Sequence, residues 1–293
     1  MFVTAIERAA EFTRPIHTIL RYFGSEEVHP GAASLFIVNA EGWALTCRHV
    51  AQEFINAQQI SQRYQAFKAE RDALTQKQKR QQGRDLERKH GLGRGQVAEL
   101  KIRFVACVDG PLDLAVTLHP ALDIALLKFS NFAALGCKVF PVFGKDGGDV
   151  KQGKFLCRLG FPFPEFTNFA YDAATDAIDW NDQGRKDTPR FPIEGMVTRH
   201  SGPAIGVITG FELSTPGLRG QSGGPAFDVE GRVWGMQSET THLDLNFDVD
   251  LEVVRGGEKK RRRDSAFLHV GRCVHVDALK AFMREHAVEF AEG

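Results

Sequence analysis

The stretch Gly220-Gln221-Ser222-Gly223-Gly224-Pro225 decides the interpretation of this chain, because it has the composition of a tight loop that carries a nucleophile. A serine hydroxyl is a poor nucleophile at neutral pH unless an adjacent base takes its proton. Glycine reaches backbone angles that are closed to residues with a Cβ atom, so Gly220 can turn the chain sharply before Ser222. Backbone N–H groups in such a turn can stabilise a developing oxyanion. The N–H groups of Gly220 and Ser222 are therefore the predicted oxyanion hole.

Two other segments supply the partners that this serine needs. His49 lies in Ala44-Leu45-Thr46-Cys47-Arg48-His49-Val50, and Asp123 directly precedes the apolar run Ile124-Ala125-Leu126-Leu127, which is typical of a buried strand. A carboxylate at the end of a buried strand needs a polar partner, which the imidazole can be. Each segment also has an ordinary interpretation, as a plain glycine-rich turn, a satisfied core histidine or a turn aspartate after Pro120. Together they favour a catalytic triad of His49, Asp123 and Ser222 in the chain order His, Asp, Ser.

The three segments resemble the chymotrypsin-like serine peptidases, and more narrowly the bacterial trypsin-like peptidase domains related to the Deg/HtrA proteases. The resemblance covers about residues 28–280 and includes Phe227–Gly235, which fits two strands joined by a turn. It implies an all-β fold with helical additions, made of two six-stranded antiparallel β-barrels with the site in the cleft between them. His49 and Asp123 would come from the first barrel and Ser222 from the second.

Two positions depart from the digestive members of that family. Gln221 occupies the place of the acid that captures a freed N-terminus there, so activation by N-terminal clipping is not expected. Pro216, six residues before Ser222, falls at the expected floor of the primary specificity pocket. Since no aspartate stands there, a preference for lysine or arginine is not supported.

The resemblance also places three residues along the substrate-binding edge. Ser238 aligns with the family serine that hydrogen-bonds the triad aspartate, and Glu239 and Thr240 follow it. Glu239 either biases the pocket toward basic groups or is a solvated residue at a strand end. We expect Pro216, Ser238, Glu239 and Thr240 to contribute to substrate binding.

The chain divides into an N-terminal helical segment (1–27), a first barrel (28–140) and a second barrel with a C-terminal helix (141–293). One helix or two, broken near Pro15, are predicted within residues 4–23, and a helix over 276–287. The loop up to residue 189 carries several aromatic side chains. They either rim the substrate cleft or pack beneath the loop.

Residues 51–92 do not match a β pattern and predict a helical insertion beside His49. One helix face is formed by apolar residues at spacings of 3, 4 or 7: Ala57, Ile60, Tyr64, Phe67 and Leu74. Beyond residue 76 the sequence is polar, and Gly83 is the expected bend. The insertion is a solvated cap on one barrel, a regulatory or partner-docking arm, or a nucleic-acid contact.

A second basic segment, Lys259-Lys260-Arg261-Arg262-Arg263, lies near the C-terminus. A solvated loop tip is the default interpretation of such a run. A self-cleavage or regulatory site and a nucleic-acid patch are the alternatives.

Composition limits the function classes. The 293 residues carry 37 basic and 37 acidic side chains, so no global field attracts nucleic acid or a membrane. The first ten residues contain Glu7 and Arg8 without a long apolar core, which argues against a secretory signal. The five cysteines are odd in number and lack metal-type spacing, and Cys47 is expected to be a small buried residue. These features predict a cytoplasmic protein with no metal and no cofactor.

The sequence therefore predicts a serine endopeptidase that acts on protein or peptide substrates. The alternative is a peptidase-fold binding or regulatory module that stays dormant until a protein partner docks on the helical insertion. Nucleic-acid association through the insertion and the 259–263 run is a third hypothesis, which predicts steeply salt-dependent binding.

Overall fold

The computed structural model describes residues 1–256 and 258–293, without the side chains of residues 255, 262, 264 and 265. Its helices are α1 (Val3–Phe12), α2 (Arg48–Ala73), α3 (Gln76–Lys89) and α4 (Val276–Glu285). Its strands are β1 (Thr13–Tyr22), β2 (Val28–Ile37), β3 (Trp43–Thr46), β4 (Val97–Phe104), β5 (Val108–Asp109), β6 (Asp113–Leu118), β7 (Ala125–Ser130), β8 (Ala134–Leu135), β9 (Val142–Phe143), β10 (Phe155–Gly160), β11 (Phe169–Asp172), β12 (Ala177–Trp180), β13 (Phe191–Ser201), β14 (Gly210–Leu213), β15 (Pro225–Phe227), β16 (Arg232–Arg255), β17 (Glu258–His275) and β18 (Ala291–Glu292). The described chain is mostly β, with four α-helices.

The first sheet contains six antiparallel strands in the order β4-β1-β2-β3-β7-β6. Strands β4 and β6 are its edges, and no pairing within the described part of the chain joins them. Apolar residues of β2, β3 and β7 are fully buried, among them Leu35, Leu45 and Leu127. Alternating and continuous apolar runs form strands here because each strand can place side chains in a common core.

The second sheet contains eight strands in the order β15-β10-β13-β14-β17-β16-β9-β18. Because β15 also pairs with β16, six of these strands close into a ring, while β9 and β18 add in parallel beside β16. The first sheet is curled but has free edges among the described pairings. The architecture fits a chymotrypsin-like fold, but the predicted pair of six-stranded barrels is not confirmed.

The N-terminal prediction was correct for its first half and wrong for its second. Helix α1 ends at Phe12, and the segment from Thr13 to Tyr22 is β1, between β2 and β4. Thr13 closes the helix by donating its hydroxyl to the Ala9 carbonyl at 2.6 Å. Pro15 and the β-branched residues that follow suit a strand better than a second helix, since they disfavour helical backbone. The 1–27 segment is therefore not a separate helical unit.

The insertion after β3 is a helical hairpin made of α2 and α3. The chain reverses at Leu74 and Thr75, not at Gly83, which lies inside α3. Thr75 and Gln78 form a capping box that starts α3. Tyr64 and Phe67 of α2 are buried in a small cluster with Leu86. Among the described residues, no helix is both long and apolar enough to cross a bilayer.

Asp176 joins this helical hairpin to the β11–β12 hairpin. Its carboxylate accepts hydrogen bonds from Tyr64 Oη at 2.7 Å and Arg71 Nη1 at 3.0 Å. It also pairs with Arg21 Nη2 at 3.1 Å, and Tyr171 donates its hydroxyl at 3.2 Å. One anion therefore holds two helix residues, a strand of the first sheet and its own hairpin together.

The aromatic residues of the 166–189 loop belong to a second small core. Phe166 and Ile178 are buried with Ile19 of β1, and Phe169 and Trp180 pack against them. None of these side chains lines the cleft described below. The packing interpretation of this loop is the one that the structure supports.

The basic run Lys259–Arg263 lies in β17 and is not a loop tip. Strands β16 and β17 form one long hairpin, in which Glu252 faces Arg261 and Asp250 faces Arg263. Cross-strand pairing of opposite charges stabilises such ribbons modestly. Two of the five basic residues thus face acidic partners, which offsets part of the charge and weakens the interpretation as a nucleic-acid patch.

We predict that Asp176→Asn lowers the free energy of unfolding by about 1–3 kcal/mol, because two arginines and two tyrosines lose an anionic acceptor. Asparagine keeps the shape and tolerates the positive φ of 48° at this position. The control is Asp182→Asn, which removes an exposed pair with Lys186 and should change stability by less than about 0.5 kcal/mol. Urea denaturation of the wild-type protein, Asp176→Asn and Asp182→Asn measures these free energies of unfolding. Equal unfolding midpoints for Asp176→Asn and the wild-type protein would contradict the anchoring role of Asp176.

Candidate active site

A cleft of about 900 Å³ brings together residues that lie far apart in the chain. It is lined by His49 and the Ala121–Asp123 segment on one side. The other side contains Pro216 to Arg219, Ser222, Gln237 to Thr240 and residues of β17. All three residues of the predicted triad and all four predicted substrate-binding residues line this cleft.

His49 is the second residue of α2 and is fixed by Asp123 through two kinds of contact. Its Nδ1 lies 2.9 Å from Asp123 Oδ2, and its backbone N–H donates to Asp123 Oδ1 at 3.0 Å. The backbone bond satisfies a free N–H in the first turn of the 26-residue helix, where a negative charge is also favourable. An ionised carboxylate only accepts hydrogen bonds, so Nδ1 carries the proton and Nε2 keeps its lone pair.

The contact between His49 and Asp123 raises the pKa of the histidine and lowers the pKa of the aspartate. The hydrogen bond to Asp123 raises the pKa of His49 above its ordinary value, against the opposing effect of burial. Burial favours the protonated form of Asp123, but hydrogen bonds from His49 and Ser238 outweigh it and lower the pKa of this carboxyl to about 2. Asp123 is therefore ionised at neutral pH, and His49 can hold a proton more readily than a free imidazole.

Ser238 supports the same carboxylate and also holds the serine hydroxyl. Its side chain donates to Asp123 Oδ2 at 2.6 Å. Its backbone carbonyl accepts the Ser222 hydroxyl at 2.9 Å, so Ser222 Oγ is engaged there and not with His49. Rotation of the Ser222 side chain between staggered rotamers would free the hydroxyl for the imidazole.

The glycines of the nucleophile loop are required by close backbone contacts. Gly220 and Gly223 have φ values of +91° and +88°, which other residues rarely adopt. A Cβ on Gly223 would collide with the Ser34 carbonyl, and one on Gly224 with the Leu159 carbonyl. Among the described residues, the N–H groups of Gly220 and Ser222 donate to no acceptor. They are available to an oxyanion.

The residues that hold this loop in place, Ser34 and Gln221, carry no local signal of that role in the sequence. The Ser34 hydroxyl donates to the Gly220 carbonyl at 2.7 Å, and its N–H donates to the Ser222 carbonyl at 3.0 Å. The buried amide of Gln221 accepts from Leu218 N–H and donates to the Phe191 carbonyl, both at 3.0 Å. Ser34 lies in an otherwise ordinary strand sequence, so no local pattern could have identified it.

The substrate-side residues have specific neighbours. Glu239 pairs with Arg272 at 2.7 Å, which offsets its charge and weakens the idea that it recruits basic groups. Thr240 donates to the Gly217 carbonyl at 2.6 Å. The Pro216 carbonyl accepts from Arg158, a buried arginine that stands outside the three motif segments.

Cys47 lies beside the histidine and is a buried thiol that is already hydrogen-bonded. Cys47, His49 and Asp123 offer ligand atoms within 4.8 Å of one another. Burial raises the pKa of the Cys47 thiol well above its usual range, and the thiol donates to the Gln237 carbonyl at 3.2 Å. A protonated, buried thiol is a poor nucleophile, and His49 and Asp123 are hydrogen-bonded to each other.

The sequence from residue 33 to 236 matches the family model described as "Trypsin-like peptidase domain". The chain belongs to the trypsin-like peptidase family. The matched range includes His49, Asp123 and Ser222, and leaves most of the β16–β17 hairpin and α4 outside it. No curated protein matches the chain.

Two solved structures of the HtrA-type protease AlgW, in a variant form, are similar to this chain. The one with a decapeptide is 13% identical, with a TM-score of 0.49, and the match covers 98% of this chain and 68% of that one. The one with a tripeptide is 14% identical, with a TM-score of 0.48, and the match covers 99% and 64%. The chain thus spans about two thirds of the length of these proteins.

We predict that activity rises with pH along an acid limb whose apparent pKa lies above 6.5. His49 must be neutral to accept a proton, and its bond to Asp123 raises the pKa at which it loses its own. In Asp123→Asn the limb should move to lower pH, and turnover should fall by about 10⁴ because the imidazole loses its orientation. Initial rates of peptide hydrolysis between pH 5 and 9, taken for the wild-type protein and for Asp123→Asn, measure the position of the acid limb and the loss of turnover. An unchanged limb in the variant would contradict the assignment.

Proposed function

We propose that the protein is a serine endopeptidase in which Ser222 is the nucleophile, His49 the general base and Asp123 the orienting carboxylate. The proposal is carried by one observation, the 2.9 Å contact between His49 Nδ1 and Asp123 in the cleft that Ser222 also lines. Membership of the trypsin-like peptidase family supports the reaction class. Peptides or unfolded protein segments are the proposed substrates, since the chain matches a peptidase family model and its cleft carries the candidate triad.

In the proposed reaction, Ser222 Oγ attacks the scissile carbonyl carbon while His49 Nε2 takes its proton. The carbonyl oxygen becomes negative and accepts hydrogen bonds from the N–H groups of Gly220 and Ser222. His49 then gives its proton to the departing amine, which leaves an acyl ester on Ser222. Water, deprotonated by His49, hydrolyses the ester and restores the serine. Asp123 stabilises the transient imidazolium and stays ionised throughout.

The first step requires the Ser222 hydroxyl to leave the Ser238 carbonyl. Rotation about one side-chain bond releases the hydroxyl from that carbonyl, and rotamers of a partly exposed serine exchange on a fast timescale. A substrate carbonyl in the cleft would favour the orientation toward His49. Exchange between the two orientations is therefore part of the proposed cycle.

Covalent labelling tests the nucleophile directly. A fluorophosphonate probe should label the wild-type protein at Ser222 and leave Ser222→Ala unlabelled, with labelling in His49→Ala slowed by about 10³-fold or more. The matched control is Ser214→Ala, a change at an exposed serine in the segment before the cleft that should leave labelling unchanged. Peptide mapping by mass spectrometry identifies the modified residue. Modification of another serine would contradict the proposal.

Control through the helical hairpin is the second candidate function, favoured by the position of His49. The base is the second residue of α2, whose distal half packs on α3 through Tyr64, Phe67 and Leu86. A protein that binds and shifts the hairpin would move the start of the same rigid helix. Displacements of about 1 Å can cost about 100-fold in rate at a catalytic group.

We predict that deletion of residues 76–89 lowers kcat/KM for a small peptide by about tenfold, because α2 loses the cluster that fixes it. The control is Lys77→Ala, which changes an exposed side chain of α3 and keeps the cluster. Hydrolysis rates and far-UV circular dichroism are measured for both. A folded deletion variant with wild-type activity would contradict coupling between the hairpin and His49.

A further inference from the structure

Arg158 of β10 is a buried cation in the second sheet that the proposed reaction does not use. Its side chain is fully buried, the largest of the side chains with no exposure. Its guanidinium donates to Gln237 Oε1 at 2.7 Å, to the Thr215 carbonyl at 3.0 Å and to the Pro216 carbonyl at 3.2 Å. Its Nε has no hydrogen-bond partner among the described residues. Each acceptor that it has is a neutral oxygen.

The charge of Arg158 has no counter-ion within the described part of the protein. No described carboxylate oxygen lies within 4.0 Å of its guanidinium. The thiols of Cys157 and Cys273 lie close by, but burial raises the pKa of each to about 12, so they stay neutral. Arginine remains protonated in proteins even when burial lowers its pKa, as it does here. A buried, unpaired cation is costly unless an anion can reach it.

The guanidinium lies directly behind the wall of the cleft. Three residues that line the cleft are neighbours of Arg158. Pro216 and Gln237 accept hydrogen bonds from its guanidinium, and the Cys273 thiol lies close enough to affect its pKa. The guanidinium also occupies the space above Gly271, where any Cβ would collide with its Nη1. One layer of neutral groups therefore separates the cation from the cleft.

The other charged groups of the cleft leave a second cation without a carboxylate partner. Glu239 is paired with Arg272. Arg219, next to Gly220 and exposed, has no carboxylate partner among the described residues. Asp123 keeps its negative charge while His49 is neutral, but its oxygens accept hydrogen bonds from His49 and Ser238. Arg158 and Arg219 are thus two cations set against this one engaged carboxylate.

We infer that the pocket walled by Pro216, Gln237 and Cys273 selects an aspartate or glutamate side chain at the residue whose carbonyl Ser222 attacks. This inference rests on the proposed function and names its substrate class. The cation acts through a low-dielectric wall, where charge–charge interactions are strong. Arg219 at the rim adds to the attraction. Lysine and arginine side chains are repelled by the same charges.

Hydrolysis of peptides that differ only in this residue tests the charge preference. Glutamate and glutamine have the same shape, so the ratio of their kcat/KM values reports the charge alone. We expect a ratio of about 10 or more for the wild-type protein, and still poorer cleavage after lysine. A ratio near 1, or a preference for lysine, would overturn the inference.

Variants assign the preference to Arg158. The ratio should fall to about 1–3 in Arg158→Met, which removes the cation. The matched control is Arg199→Met, an arginine on the neighbouring strand that does not line the cleft and should keep the wild-type ratio. A wild-type ratio in Arg158→Met, or an equal fall in the control, would overturn the assignment. Because each ratio is internal to one protein, partial loss of folded protein does not change it.

Gln237→Glu decides the case if Arg158→Met does not fold. It places a carboxylate of the same size against Arg158 Nη1 and supplies the missing counter-ion. The glutamate-to-glutamine ratio should then fall below the wild-type value by about tenfold. An unchanged ratio would overturn the inference.

A binding measurement separates this inference from the proposed reaction. Fluorescent peptides that end in glutamate amide, glutamine amide or lysine amide are titrated into Ser222→Ala, with fluorescence anisotropy as the readout. Tighter binding of the glutamate peptide supports the pocket assignment, whether or not the wild-type protein is active. A wild-type protein that neither cleaves peptides nor reacts with a fluorophosphonate would refute only the proposed reaction. Equal binding of the three peptides overturns the pocket assignment whatever the activity.

Discussion

The Asp123 carboxylate is the constraint on which the candidate site depends. It accepts the backbone N–H and Nδ1–H of His49 and the Ser238 hydroxyl, so it joins the start of α2, the loop before β7 and a strand of the second sheet. One partly buried anion thus sets the helix direction, the imidazole tautomer and the approach of the two sheets. Its lowered pKa of about 2 keeps these roles intact at every physiological pH.

The nucleophile loop depends on both sheets in the same way. Ser34 of β2 holds Gly220 and Ser222 through its hydroxyl and N–H, while Gln221 fixes the loop to β13 through Phe191. The loop can remain tightly turned because its glycines avoid collisions with the Ser34 and Leu159 carbonyls. The N–H groups of Gly220 and Ser222 stay free as a result, whereas most buried N–H groups in proteins are paired. A site that keeps two donors unpaired needs this degree of external support.

The parts of the structure that sequence predicted are those with local signals. The glycine pattern around Ser222, the buried strand after Asp123 and the helical period of Tyr64 and Phe67 depend on neighbouring residues alone. The strand over 13–22 differs from the predicted helix because one of its two partners, β4, lies far along the chain and leaves no signal in the local sequence. The contacts of Ser34 with Gly220, of Asp176 with Tyr64 and of Arg158 with Pro216 could not be predicted, since these residues lie far apart in the chain. The Ser222 orientation toward Ser238 also depends on tertiary geometry that no motif encodes.

The ionisation of His49 tests the central claim most directly, because Asp123 determines it. Nitrogen-15 NMR of histidine-labelled protein follows this imidazole through a pH titration, with His49→Gln used to assign its signals. The account predicts a pKa above 6.5, a proton on Nδ1 in the neutral form and a strongly downfield Nδ1–H signal that disappears in Asp123→Asn. A pKa at or below 6.5, or a neutral form protonated on Nε2, would contradict it.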